Sequence, residues 1–180
     1  DIDLFESVLP EALKAARQSR QAPLIAMSLL RLAEAQHRWK PNEQVLQNAT
    51  EAMGLFRELG DCSGEGRSLW VVSMARGHQG RAAEGNQAAS EALRLCRGCG
   101  DMYGAGNALN MLTFHEADLA VQMKLVNLAF AEFEAAGYVE RQAVVTSNLG
   151  IAYSQLGLYR RARRLYLKAS DILRRIGANV

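Results

Sequence analysis

A glycine returns along this chain at a nearly constant interval. Gly60, Gly100, Gly137 and Gly177 lie 40, 37 and 40 residues apart. An alanine stands eight residues before each glycine: Ala52, Ala92, Ala129 and Ala169. An apolar side chain stands four residues before each: Phe56, Cys96, Phe133 and Leu173. A period of this length, without an alternating strand pattern inside it, is typical of stacked helical hairpins. The spacing therefore predicts an all-α chain, a right-handed α-solenoid of stacked antiparallel helical hairpins with about nine helices, in which the repeated alanines are buried where helices cross.

The repeats divide the chain into units of one elongated domain. With 180 residues, 49% of them hydrophobic, and only three prolines, the chain can bury a core and favours helix throughout. We expect a single domain over 1–180 with four two-helix units: 21–60, 61–100, 101–137 and 138–177. The same register makes residues 1–20 the second helix of a preceding unit, with Pro10 kinking that helix or delaying its start. Since the first residue is Asp1 rather than methionine, we expect a piece of a longer protein.

Helix bounds follow from the apolar pattern and the turn residues. The predicted first helices of the four units are 22–38, 65–78, 103–116 and 140–155. The predicted second helices are 41–59, with Pro41 in its first turn, 81–97, 119–136 and 159–176. Unit three is three residues short, and we expect the deletion to lie in the turn around 117–120, giving a tighter hairpin.

Small and polar residues recur where successive units meet. The glycines that close the units are expected in the left-handed conformation, and Asp61 and Asp101 are expected to cap the following helices. Two pairs of glycines follow these aspartates at the same spacing: Gly64 and Gly66, then Gly104 and Gly106. Small residues there predict a close approach between neighbouring helices.

Unit four carries the clearest family signature. Seven of its residues stand at the spacing of the tetratricopeptide repeat: Leu149, Gly150, Tyr153, Gly157, Ala162, Tyr166 and Ala169. The chain resembles a long-unit variant of that repeat and is similar to arrays in large bacterial signalling ATPases, transcription activators and nucleotide cyclases. The resemblance implies a bacterial, cytoplasmic regulatory setting in signalling or transcription.

Residue patterns that would indicate catalysis or a bound cofactor are missing from the sequence. Cys96 and Cys99 have the spacing of a redox or zinc pair, but they occupy repeat positions that hold apolar residues elsewhere, and a zinc site needs two more ligands. We expect both thiols to be reduced, apolar, metal-free and slow to react. His115 and Glu116 begin a metalloprotease-like motif that lacks its second histidine. The sequence therefore predicts a chain that is not an enzyme and that needs neither a cofactor nor a metal.

The charge pattern limits the possible partners. The formal net charge is only +2, and no apolar run is long enough for a membrane span. The three cysteines form a sparse, odd set, which favours a reducing, cytoplasmic location. A basic run occupies the last helix: Arg160, Arg161, Arg163, Arg164, Lys168, Arg174 and Arg175. This run either contacts nucleic acid or an acidic protein, or is a solvated face or one covered by a further unit. Nucleic acid is disfavoured because no aromatic residues interleave the basic ones.

The resemblance also implies where a ligand would bind. In tetratricopeptide proteins the first helices of the units line a concave groove. Carried over by register, the expected groove residues are His37, Arg38, Arg67, Trp70, Met74, His78, Asn107, Asn110, Phe114, Ser147, Asn148, Ile151 and Gln155. Asparagine amides would bind peptide backbone groups, and Trp70, Met74 and Phe114 would anchor apolar side chains. The alternative is that Trp70 and Phe114 pack between adjacent helices.

These expectations lead to a function class and leave alternatives open. The favoured interpretation is a non-catalytic scaffold or sensor segment of a larger regulatory protein, which binds a protein or peptide in its groove. The alternatives are a small-molecule inducer-sensing module and a self-association module. For the last, apolar residues at the two ends would form a weak homodimer: Leu4, Phe5, Val8 and Leu9 at one end, Leu165, Ile172 and Ile176 at the other.

Overall fold

The computed structural model describes residues 2–39, 43–114 and 116–177, and the side chains of 2–6 and 37–39 lie outside that description. This part of the chain forms nine α-helices and no strand. The helices are α1 (Ile2–Ser19), α2 (Ala22–Trp39), α3 (Glu43–Glu58), α4 (Cys62–His78), α5 (Ala82–Gly98), α6 (Met102–Thr113), α7 (Leu119–Ala135), α8 (Val139–Gln155) and α9 (Tyr159–Arg175). Each helix packs on the next one along the chain. The predicted all-α solenoid of stacked hairpins is therefore confirmed.

The stack has two different faces. The first helices of successive units touch, α4 lying against both α2 and α6, whereas the second helices of successive units make no comparable contact in the described part of the chain. Elements that lie closer together mark the inner side of a curved stack. We call the surface of α2, α4, α6 and α8 the groove face, and the surface of α3, α5, α7 and α9 the outer face.

The unit boundaries show why glycine and aspartate recur there. Gly100 has φ +74°, a left-handed conformation that glycine adopts without steric cost. The amide of the following residue, Asp101, donates to the Cys96 carbonyl over 2.8 Å, which closes helix α5. The Asp101 carboxylate then accepts from the Gly104 amide at 3.0 Å and caps α6. Gly60 and Asp61 repeat the arrangement, so the predicted caps are confirmed.

The repeated small residues lie where helices cross. Ala52, Ala92, Ala129 and Ala169 are at most 2% exposed, which confirms the register. A Cβ atom on Gly64 would clash with the Phe56 ring. Similar clashes would occur with the other repeated side chains, of Cys96 at Gly66 and Gly104 and of Phe133 at Gly106. The side chains four residues before Gly60, Gly100 and Gly137 therefore pack against a bare backbone on a neighbouring helix.

Two expectations concern prolines. Helix α1 begins at Ile2 and continues through Pro10, so the expected late start is wrong. Pro10 has no backbone N–H, so the helix continues through it with the loss of one backbone hydrogen bond. Pro41, expected in the first turn of the next helix, lies outside the described residues.

Unit three differs from the prediction. The deletion was expected in the turn, but helix α6 has 12 residues where α4 and α8 have 17. The connection to α7 runs over 114–118, whereas α4 and α8 are followed by the shorter connections 79–81 and 156–158. The physical reason is that three residues already form the whole turn in the other units, so removing three would leave no chain to join the two helices. Helix α6 therefore ends early and the turn lengthens.

The buried side chains form two clusters that meet at α6. The first includes Trp70, Ala92 and Met111 and lies over α2 to α6. The second includes Leu109, Phe133 and Val145 and lies over α6 to α9. No helix among the described residues is long and apolar enough to cross a membrane.

Candidate ligand groove

The early end of α6 leaves a notch in the groove face. Phe114 follows the last residue of the helix, and its side chain is 57% exposed, the largest exposed fraction of any phenylalanine in the described part of the chain. A pocket lies on each side of this ring, and Phe114 lines both. The early end of α6 thus places the Phe114 ring between two pockets of the groove face.

The pocket between α4 and α6 is the larger of the two. It has a volume of about 250 Å³. Its lining is mostly apolar and comes from two helices: Ser73, Met74, Gly77, His78, Met111 and Phe114. Gly77 has no side chain and leaves room for a bulky apolar group, and the flexible side chain of Met74 can adapt to the shape of that group. His78, at the end of α4, is the one titratable side chain in this lining.

The pocket between α6 and α8 is smaller and more polar, with a volume of about 100 Å³. Its lining is Thr113, Phe114, Gln122, Val126, Asn148, Leu149, Ile151, Ala152 and Gln155. The Asn148 amide donates to the side-chain oxygen of Asn110 over 2.8 Å, which fixes its orientation across the two helices. Gln155 is exposed at the rim and carries both a donor and an acceptor for a ligand backbone.

An apolar stripe joins the two pockets. Met74, Phe114 and Ile151 occupy the same repeat position in three successive units, and Ile151 is 47% exposed. The corresponding position in unit one holds Glu34, whose carboxylate pairs with Arg31 at 2.9 Å. The stripe is therefore apolar over α4, α6 and α8 and ends at a carboxylate on α2.

Several residues expected in the groove lie elsewhere. Trp70 is 1% exposed and belongs to the first core cluster, so the alternative of packing between helices is correct for this residue. Asn107 is 2% exposed, and its amide donates to the Tyr103 carbonyl at 2.9 Å. Asn110 is 5% exposed and contributes to the groove only by accepting the hydrogen bond that orients the Asn148 side chain. The reason is the close packing of α4 on α6, which buries this side of both helices.

The remaining expected residues are divided between the notch and other places. Met74, His78, Phe114, Asn148, Ile151 and Gln155 come together around the two pockets. Ser147 is half-buried on α8 and lines neither pocket. The side chains of His37 and Arg38 lie outside the described residues.

Arg67 is committed to an ion pair rather than free for a ligand. Its guanidinium donates two hydrogen bonds to Asp101, at 2.6 and 2.9 Å. These bonds raise the pKa of Arg67 above its ordinary value. Burial alone would raise the pKa of Asp101, but hydrogen bonds from Arg67, the Gly104 amide and Ser63 hold it below its usual range. Arg67 also lies over the Tyr103 ring, whose hydroxyl accepts from Arg141 at 3.1 Å. This cluster joins α4, α6 and α8 at their starts.

The cysteines behave differently from one another. Cys96 is fully buried between two helices, and burial raises the pKa of its thiol to about 12. Cys99 is exposed, which corrects the expectation that both thiols are covered. Cys99 follows the last residue of α5, so its side chain lies beyond the part of that helix that packs against α4 and α6. In the described part of the chain, no group of three histidine, cysteine, aspartate or glutamate side chains is arranged to hold a metal ion.

The sequence reasoning missed eight residues that line the two pockets: Ser73, Gly77, Met111, Thr113, Gln122, Val126, Leu149 and Ala152. Met111 and Ala152 lie one residue away from groove positions in register, and Gln122 belongs to a second helix, α7. For the missed residues outside α6, the signal is the short third unit, because an early end of α6 exposes the flanks of the helices beside it.

Comparison with known proteins supports the fold. No family model matches the chain, and a comparison with curated proteins found no match. The solved structure of BtubC (BKLC) from P. vanneervenii is similar with a TM-score of 0.66 and 17% sequence identity. The similarity covers 100% of this chain and 76% of that one. At this identity the likeness concerns the fold alone.

Proposed function

We propose that the chain is a non-catalytic binding scaffold of the tetratricopeptide type that holds a peptide or protein segment in the notch of its groove face. The observation that carries this proposal is the exposed Phe114 ring between two pockets. An apolar stripe with polar groups at its rim suits a segment that places one apolar side chain in each pocket. Asn148 and Gln155 would bind its backbone.

The pocket sizes favour a peptide over a small molecule. Small-molecule sites in proteins usually enclose roughly 300–1,000 Å³. The two pockets, of about 250 and 100 Å³, are each smaller and are separated by Phe114. Dimensions of this kind fit single side chains of a longer ligand. Inducer sensing is therefore the second choice.

A selection experiment tests the proposal. Random peptides displayed on phage would be selected on the purified chain, and binding of recovered peptides measured by fluorescence polarisation. We expect recovered peptides to carry two apolar side chains, and Phe114→Ser to weaken their binding at least about tenfold, as expected for a central apolar contact. Leu167→Ser is the matched control, because Leu167 is 53% exposed but lies on α9. Peptides that bind equally well to the Phe114→Ser variant would contradict the proposal.

The regulatory setting is part of the same proposal. We place the scaffold in a cytoplasmic signalling or transcription regulator, where ligand binding across α4, α6 and α8 would fix the relative orientation of three units. Self-association through the ends of the stack remains a further proposal. Val8 and Ile176 support it, because these end residues are 50% and 46% exposed.

A further inference from the structure

Helix α7 differs from the other second helices on the outer face. Its buried side is Val126, Ala129 and Phe133, which face the core. Val121 and Leu128 lie seven residues apart, two helical turns, and so share one side of the helix. These side chains are 40% and 38% exposed. Helix α7 therefore presents apolar side chains outward as well as inward.

The repeat register shows that these two positions are solvent positions. Eight residues before the repeated alanine, where α7 has Val121, the other second helices carry Gln44, Glu84 and Arg161. One residue before it, where α7 has Leu128, they carry Glu51, Glu91 and Lys168. All six of those side chains are exposed. Unit three thus replaces charged or polar residues with aliphatic ones at two positions that packing within the stack does not cover.

The neighbouring helix α9 supplies charge. It carries seven basic side chains and one acidic one, Asp171, which pairs with Arg174 and Arg175 at 3.5 and 2.7 Å. Arg160, Arg163 and Arg164 make no ion pair with any described residue, and all three are exposed. Seven like charges on 17 residues repel one another, so the surface favours an anionic partner.

Contacts on α7 locate the apolar and basic surfaces relative to each other. Glu132, one turn beyond Leu128, pairs with Arg97 of α5 at 2.9 Å. Phe130, on the opposite flank, lies under the Lys168 ammonium of α9, 5.1 Å from the ring centre. The outward apolar side chains of α7 thus lie on the side toward α5, and the basic side chains of α9 border the other side of α7. The outer surface of α7 is about 25 Å long, at 1.5 Å per residue, which sets the length of a ligand that could lie along it.

We propose that the outer surface of α7 and α9 is a docking surface for an acidic amphipathic helix of a partner protein. The helix lies along α7, its apolar side chains cover Val121 and Leu128, and its acidic flank faces Arg161, Arg164 and Lys168. A helical ligand fits because one apolar face with one charged flank is what a helix with apolar residues at i, i+3, i+4 and i+7 presents. Nucleic acid is less suited, because aliphatic side chains at Val121 and Leu128 provide no stacking surface for bases. This surface is separate from the notch of the groove face.

The test uses the chain 1–180 and two synthetic peptides of about 20 residues, matched to the length of α7. The first carries leucine along one helical face and glutamate on its flanks, and the second has lysine in place of each glutamate. In low salt, we expect the acidic peptide to bind at least about tenfold more tightly than the lysine peptide. Its binding should weaken as salt is added. Binding would be followed by fluorescence polarisation of a fluorescein label.

Three variants locate the binding surface. V121E/L128E introduces the residues that α5 carries at the same positions and should weaken the acidic peptide at least about tenfold. R161E/R164E, which changes only exposed side chains, should do the same. I151E alters the groove face and should leave this peptide unaffected, so a failure of the groove proposal is separable from a failure here. Circular dichroism would check that each variant keeps its helices.

The contradicting outcomes are equally specific. Equal binding of the two peptides would overturn the proposal. So would equal binding of the acidic peptide to the parent chain and to V121E/L128E. The absence of measurable binding by the acidic peptide would overturn it as well. Tighter binding to a 20-nucleotide oligothymidylate or to phosphatidylserine vesicles than to the acidic peptide would assign α9 to nucleic acid or to a membrane surface instead.

Discussion

At the residue scale, Asp101 joins more elements than any other single carboxylate in the described part of the chain. Its oxygens accept from the Gly104 amide in the first turn of α6, from the Ser63 hydroxyl at 2.7 Å and from Nε and Nη2 of Arg67 on α4. Its side chain is 6% exposed, so these partners replace the water that the carboxylate loses. The same residue thus caps a helix and ties two units together.

Replacing Asp101 with asparagine should therefore be costly at neutral pH. Asparagine caps a helix as well as aspartate does, so the loss is that of the charge pair with Arg67, about 2–4 kcal/mol in the free energy of unfolding. Since hydrogen bonds hold the pKa of Asp101 below its unfolded value, the stabilisation is fully present above about pH 4 and is lost as the pH falls through the folded pKa. Urea unfolding at neutral and acidic pH would measure the difference between variant and parent, which should narrow in acid. Asp61→Asn, a cap with no arginine contact among the described residues, is the control and should be nearly neutral.

The thiols give a second prediction at this scale. Iodoacetamide reacts with thiolates, and partial burial together with a hydrogen bond that the Cys99 thiol donates to Cys62 raises the pKa of Cys99 to about 11. We expect the rate of Cys99 alkylation in the native chain to keep rising between about pH 9.5 and 11, where an ordinary cysteine, with a pKa of about 8.5, has already levelled off. Cys96, fully buried, should react only after unfolding. Peptide mapping by mass spectrometry would follow both sites, and a plateau of the Cys99 rate by about pH 10 would show that the pKa of its thiol is not raised.

At the element scale, the repeat register predicted the helices well and their ends less well. The register placed Ala129 and Phe133 in the core correctly, because a helix that crosses its neighbours at a fixed period must present small and large residues at fixed positions. It placed the deletion of unit three in the turn, whereas helix α6 is the element that is shortened. Register alone fixes how many residues are missing but not which element loses them. The minimum length of a turn decides that question. The exposure of Phe114 and the burial of Trp70 both depend on this packing detail, so the groove could be located from the sequence but its individual contacts could not.

Two helix glycines should respond to alanine with opposite sign. Gly54 lies inside α3, and a Cβ atom there would meet nothing within 4 Å. Gly54→Ala should therefore stabilise the chain by about 0.5–1 kcal/mol, because alanine loses less conformational freedom on folding. Gly106→Ala should destabilise it, because the new Cβ would lie 2.7 Å from the Phe133 ring. Thermal unfolding of both variants measures the two effects, and a gain in stability from Gly106→Ala would mean that the α6–α7 contact is looser than described.

At the scale of the whole molecule, the stack is held by two core clusters that share α6. Ala108 and Met111 of that helix belong to the first cluster, whereas Leu109, between them, belongs to the second. Contact between α6 and α8 is also sparser than that between α4 and α6. In a solenoid each unit is stabilised only by its neighbours, so the short third unit is where cooperativity between the two halves should be weakest.

This weakness predicts how the molecule unfolds when the second cluster is damaged. Phe133→Ala removes a ring that is 1% exposed at the centre of that cluster and should cost about 3–5 kcal/mol locally. We expect hydrogen exchange to accelerate across α7, α8 and α9 while amides of α3, α4 and α5 keep their protection, because the first cluster does not include Phe133. The reciprocal variant, Phe56→Ala in the first cluster, should accelerate exchange in α3 and α4 and leave α8 and α9 protected. Equal acceleration of hydrogen exchange over all helices in both variants would contradict this prediction. It would show that α6 couples the two clusters, so that they unfold as one unit.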